Sequence, residues 1–397
     1  MPKPQWSPGT TPPQAFLDPE PRFMLSVSLR STPQSVDMAR KHSSALQVPT
    51  ITALPRRTML AAAAAAMAAP AWPARAQTAP TQAAPTQAVP AQTAPSCPLP
   101  GTGAVLIMNS GAASLSLIDM ATRTELRRIP ALREPHHWAL TPDRTELLIG
   151  DSAGNELQVF DPNTFALIRR MPISNPYHLQ FSPDGRFFVV AGLARNQIDV
   201  YEAGTYKLIK RFPIRSMPSH MDFLPDSSVV FMSLQGTNRI VAIDLQRMTV
   251  LWNEPCGEAP AGVMVHDGRV LTGNMGSDDV AVLDARNGKL LRRIRTGKGA
   301  HTMFWSPDRR EIWVNNRLAD PSVVVLDAAT LDPIRRYRLP GGPDDLEFAP
   351  DGRVWFTMRF IHKVAVLDPA TGQYDTIPVG RSPHGIFLNG AAAPVTA

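Results

Sequence analysis

One pattern recurs about every 42 residues from position 101 to near the C-terminus, and no other feature of this 397-residue sequence restricts its fold so strongly. The segments LSLIDMATRTELRRIPA, LQVFDPNTFALIRRMPI, IDVYEAGTYKLIKRFPI, IVAIDLQRMTVLWNEPC, VAVLDARNGKLLRRIRT, VVVLDAATLDPIRRYRL and VAVLDPATGQYDTIPVG hold equivalent places. Their acidic markers are Asp119, Asp161, Glu202, Asp244, Asp284, Asp327 and Asp368. Within one unit, HLQFSPDG, FFVVAG, QIDVYEAGT and KLIKRFPI read as four short alternating strands parted by Pro-Asp-Gly, Asn-containing and Gly-Thr turns. Four strands per unit specify a propeller blade rather than a barrel or a sandwich.

The innermost strands are expected to start at His137, His178, His220, Gly262, His301, Asp345 and Gly385, which makes seven blades. The run AVLIM at 104–108 begins in the second strand of a blade, and GIFLN at 385–389 is the inner strand left over. The C-terminal strand should therefore join the N-terminal blade and close the ring, leaving no open sheet edge. The expectation is an all-β, seven-bladed propeller of four-stranded blades, occupying 101–391 with a short tail at 392–397.

The residues before this region have a different texture. PRRTMLAAAAAAMAAPAWPARA, at 55–76, has the basic start, short apolar run and small-residue cleavage site of an export signal, with cleavage near Ala76. Its Arg56-Arg57 pair resembles the twin-arginine (Tat) signal. Residues 1–76 thus read as a leader, with Met38 as an alternative start, and the proline-rich 77–100 as an extended linker. Of the chain's 40 basic and 34 acidic side chains, the leader holds eight and three, so the net charge of +6 drops to about +1 after cleavage. That excludes a nucleic-acid partner on charge grounds and leaves no transmembrane anchor. The location expected is the periplasm. Cys97 and Cys256 form no CxxC or CxxCH motif, so neither a redox pair nor covalent haem attachment is encoded.

Strand parity points the histidines inward. His178 and Gln180 share one face of their strand and Leu179 and Phe181 the other; His220 with Asp222, and Asp345 with Glu347, keep the same phase. Since the apolar set packs between blades, the polar set lines the central channel. His137, His178, His220, His301 and Asp345 then ring one mouth as metal ligands. His136 and His384, one residue earlier where the loop enters the strand, close over it together with Tyr177 as cofactor contacts. Six of nine histidines fall at these two repeat positions, a concentration that a solvated loop does not require. Several neutral imidazoles with a carboxylate suit copper, zinc or iron rather than calcium or magnesium. Asp344, Asp345 and Glu347 also read as a base or as part of a cation site. Arg317, Arg359 and Trp305 are candidates for ligand-facing loops. Trp138 has core parity, and Asp143, Asp184, Asp226, Asp308 and Asp351 belong to turns.

The pieces VLIMNSGAASLSLID, FVVAGLARNQIDVYE and VLTGNMGSDDVAVLD resemble the repeat of the YVTN-type (YncE-like) beta-propeller family across essentially all of 101–390. The resemblance implies the fold and leaves function open, because members include binding proteins and enzymes. The histidine-lined hub also resembles the propeller of nitrous oxide reductases, with His136-His137 matching a His-His pair that starts a strand there. The second, copper-binding domain of those enzymes has no counterpart in these residues, so their activity does not carry over. Three functions remain: a periplasmic propeller holding a metal, metallocofactor or small ligand in its channel; a noncatalytic interaction or assembly propeller with a periplasmic protein partner; and a lactonase-like hydrolase.

Overall fold

The computed structural model describes residues 103–389. The export signal, the proline-rich linker, Cys97 and the tail lie outside them. The described residues form seven antiparallel sheets of four strands each, and their only helical pieces are two single 3-10 turns. None of their helices is long and apolar enough to cross a membrane.

Six blades are consecutive in sequence. The seventh takes its inner strand from Pro383–Leu388, which pairs with Ala104–Asn109 and joins the two ends of the described chain, as the repeat phase requires. The remaining inner strands, blades 1 to 6, are Pro135–Leu140, His178–Phe181, Pro218–Phe223, Pro260–His266, Ala300–Trp305 and Pro343–Phe348.

Burial follows from this arrangement. Second and third strands face a neighbouring blade on both sides, so runs such as FFVVAG and RIVAID are apolar almost throughout. Outer strands such as LIKRFP face solvent and carry paired arginines and lysines. The core lies between blades; Val189, Val200, Met221, Met232 and Val241, for example, fill the gap between blades 2 and 3.

Six of the seven inner strands are bulged at one level. Pro135 pairs with Asp151 but Trp138 with Ile149, so three steps on the inner strand match two on its neighbour. The same offset falls at Ser219-His220, Ala261-Gly262, His301-Thr302, Asp344-Asp345 and His384-Gly385. A bulge breaks strict alternation and re-aims side chains. His136 and His384 are therefore strand residues rather than the end of a loop, and parity alone underestimates how many polar groups reach the channel.

At two bulges the neighbouring strand comes so close that only glycine fits. A Cβ on Gly385 would stand 2.5 Å from the carbonyl oxygen of His136, and one on Gly262 would stand 2.5 Å from that of His301.

A belt of polar side chains on the second strands fixes these bulges. Ser233 Oγ accepts the His220 N–H at 3.1 Å and donates to the Ala261 carbonyl of the next blade at 2.6 Å. Thr357 Oγ1 likewise accepts from Asp345 N at 2.9 Å and donates to the His384 carbonyl at 2.7 Å. Asn315 Nδ2 donates to the Asp344 carbonyl at 2.8 Å.

Candidate functional site

Six imidazoles meet at the bulged level. His384 Nε2 lies 3.0 Å from His137 Nε2, and the ring centroids of His136 and His384 are 3.8 Å apart. From His137, the ring centroids of His178 and His220 are 4.6 Å and 5.0 Å away; His220 and His301 are separated by 5.4 Å. Tyr177 covers His136 at a ring separation of 4.2 Å. The tightest set is His136, His137 and His384, each with a ligand atom within 4.8 Å of the other two. All three come from bulges of adjacent blades, and all three are buried.

The structure thus brings the expected residues together but groups them differently. His136 and His384, expected as cofactor contacts, share the closest cluster with His137. His178, His220 and His301 extend it around the ring. Asp345 Oδ2 stands 3.7 Å from His137 Nδ1. Trp138 packs against Phe387 and donates Nε1–H to the Ile386 carbonyl, in keeping with its core parity. Trp305 meets His266 and Arg309 instead of the cluster. The Pro-Asp turns bind themselves: Asp184 accepts from Ser182 Oγ and the Arg186 N–H. Cys256 is buried and free.

Burial and mutual repulsion keep these imidazoles neutral. Burial lowers His178 to about 3, with His384 adding to the effect, and lowers His301 to about 4 against the opposing pull of Asp344. Burial, then the neighbouring histidines, holds His137 and His220 well below the ordinary value. Yet His136 Nδ1, His178 Nδ1, His220 Nε2 and His301 Nε2 are buried with no hydrogen-bond partner in the protein, as is Asp345 Oδ1. A buried polar atom left unpaired costs about 1–3 kcal/mol, and several in one place ask for a common partner.

Sequence reasoning missed the role of Asp344. This fully buried carboxylate accepts from Arg317 Nη1 at 2.8 Å, Arg359 Nη1 at 3.0 Å and His384 Nδ1 at 2.5 Å, and lies 2.9 Å from His301 Nδ1. Burial alone would raise its pKa, but His384, Arg317, His301 and Arg359 together hold it well below the usual range. Asp345 behaves oppositely: burial first, then Asp344 and Glu347, raises it well above that range. The belt residues Ser233, Asn315 and Thr357 were also missed. Their signal is a polar residue inside an otherwise buried apolar strand, as in FMSL and WFTM.

Beside the cluster, the channel opens into a cavity of about 440 Å³, walled by His137, His178, His220, Gln180, Asp345 and Glu347 among others. That volume falls in the range of small-molecule sites, roughly 300–1,000 Å³. Burial raises Glu347 to about 8.

Fold and hub define a closed seven-bladed propeller with an imidazole-walled channel. The chain belongs to the YncE-like beta-propeller family, whose profile matches residues 60–394. It is similar to protein NirF of Pseudomonas aeruginosa, 34% identical over 118 residues, a match that covers 29% of this chain and 30% of that protein. The match thus spans less than a third of the relative's length. Among solved structures, the periplasmic gluconolactonase PpgL of Pseudomonas aeruginosa aligns with a TM-score of 0.60 at 19% identity, over 72% of this chain and 98% of that one. The dihydro-heme d1 dehydrogenase NirN, solved with DHE, aligns with a TM-score of 0.55 at 18% identity, over 72% and 75%. At such identities the likeness is one of fold.

Proposed function

We propose that this protein is a periplasmic propeller whose histidine cluster holds a late first-row transition-metal ion, copper, zinc or iron, facing a cavity for a small ligand. The observation that carries the reading is the set of neutral imidazoles with unpartnered nitrogens around the 3.0 Å contact between His137 and His384. Two nitrogens bound at about 2.0–2.1 Å to one ion lie roughly 3 Å apart, so an ion takes the place of the proton that bridges this pair. His136, His137 and His384 would hold it, with His178, His220, His301 and Asp345 in reach of a second ion or a bound ligand. The bound metal would supply Lewis acidity or redox chemistry at the cavity wall.

The close packing of the rings favours a bare ion or a small cluster over a macrocycle, which would need a gap between imidazoles whose centroids stand 3.8 to 5.4 Å apart. The Arg56-Arg57 leader supports export to the periplasm. The cavity, with Asp345 and Glu347 in its wall, favours as a second reading a hydrolase acting on a small neutral ester or lactone.

Elemental analysis tests the metal reading. The mature protein, exported in its own cell and purified without chelator or histidine tag, should hold one or more such ions per chain. A His137→Gln/His384→Gln variant with an unchanged melting curve should lose them. Metal far below one per chain in folded wild type, before and after incubation with Cu(II), Zn(II) and Fe(II), would sink it.

A further inference from the structure

We propose that Asp344 is the positioning residue of the metal site: it fixes His384 in the tautomer and orientation that turns the lone pair of Nε2 toward His137, without binding the ion itself. This inference rests on the metal reading above.

Asp344 is fully buried at the first position of its bulge, and both of its oxygens are occupied. Oδ1 faces Arg317 Nη1 at 2.8 Å and His301 Nδ1 at 2.9 Å; Oδ2 faces His384 Nδ1 at 2.5 Å and Arg359 Nη1 at 3.0 Å. Its contacts are with two arginines and with the Nδ1 atoms of His384 and His301, whereas it is the Nε2 of His384 that meets His137. Its neighbour Asp345 is the acid with a buried unpartnered oxygen. The two adjacent aspartates therefore divide the work, one behind the imidazoles and one on the channel wall.

The proton on His384 follows from the distances. Arg359 Nη1 is 3.0 Å from His384 Nδ1 as well, and that contact alone would suit a bare Nδ1. A bare Nδ1, however, would face a carboxylate oxygen at 2.5 Å, lone pair to lone pair. The ionised carboxylate only accepts, so Nδ1 carries the hydrogen and Nε2 does not. In the metal-free protein His137 must then donate through Nε2 across the 3.0 Å contact. A carboxylate behind a ligating imidazole fixes its tautomer, increases its basicity, and typically accounts for 10–100-fold in metal affinity.

Two measurements test the assignment. Long-range 1H–15N spectra of the folded, metal-free wild type, with His384 assigned by difference from His384→Gln, should show the Nδ1–H tautomer for His384 and Nε2–H for His137. Finding Nε2–H on His384 overturns the proposal and needs no further variant. Chelator competition with Cu(II) and Zn(II) should show Asp344→Asn binding 10–100-fold more weakly, with an altered Cu(II) nitrogen hyperfine pattern at saturation. A wild type that loads while folded Asp344→Asn loads equally, with the same spectrum, overturns this assignment alone. A wild type that takes up no ion overturns the metal reading together with it.

Discussion

A single histidine in this hub is costly, and the cost has a sign. In the folded, metal-free protein His178 is lowered to about 3 and His301 to about 4, whereas the unfolded chain keeps ordinary imidazoles near 6.5. Between those values the unfolded chain binds more protons, so the stability is present above about 6.5 and drains away as pH falls toward the folded values. Glu347 works at the other end. Its folded value of about 8 lies above its ordinary one, so its contribution is present below about 4.5 and is lost as pH rises through 8. Denaturant melts of metal-free protein from pH 4 to 9 should show both limbs; His178→Gln should flatten the acid limb and Glu347→Gln the alkaline one. Unchanged slopes in both variants would contradict this account. The hub residues were legible because seven copies of one strand could be aligned, which exposed histidine as the odd residue at a shared position. The role of Asp344 was not legible, because a carboxylate's partners depend on loops such as Arg317 and Arg359 that no periodicity relates.

At the scale of the element, the bulge decides the site. Period-two reasoning gives each inner strand one channel position at a given height. The bulge gives it two, which is how His136 joins His137 and Asp344 joins Asp345. Sequence pattern could not announce this, since a bulge is a feature of pairing between two strands and leaves little mark on either. The belt makes the bulge durable. Thr357→Val keeps shape but strips the partner from the Asp345 N–H and the His384 carbonyl, so it should cost about 1–3 kcal/mol. Urea denaturation would measure that loss, and the same variant should retain less metal because both bulges relax together. A stability equal to wild type would mean that the belt is dispensable.

For the whole molecule, closure is the decisive act. The fold was almost entirely legible: repeat length, strand count, blade number and the borrowed C-terminal strand all follow from turn chemistry and alternation. Removing 383–388 should expose the edge of Ala104–Asn109 and give a chain that self-associates by light scattering and melts less cooperatively. A monomeric truncated chain with a wild-type melt would refute the importance of the seam. That seam also carries His384, so the strand that latches the ring delivers one of its three closest imidazoles. Until that strand is in place, the cluster of His136, His137 and His384 lacks one of its members. An ion gripped by all three imidazoles would thus report that the two ends of the propeller have met.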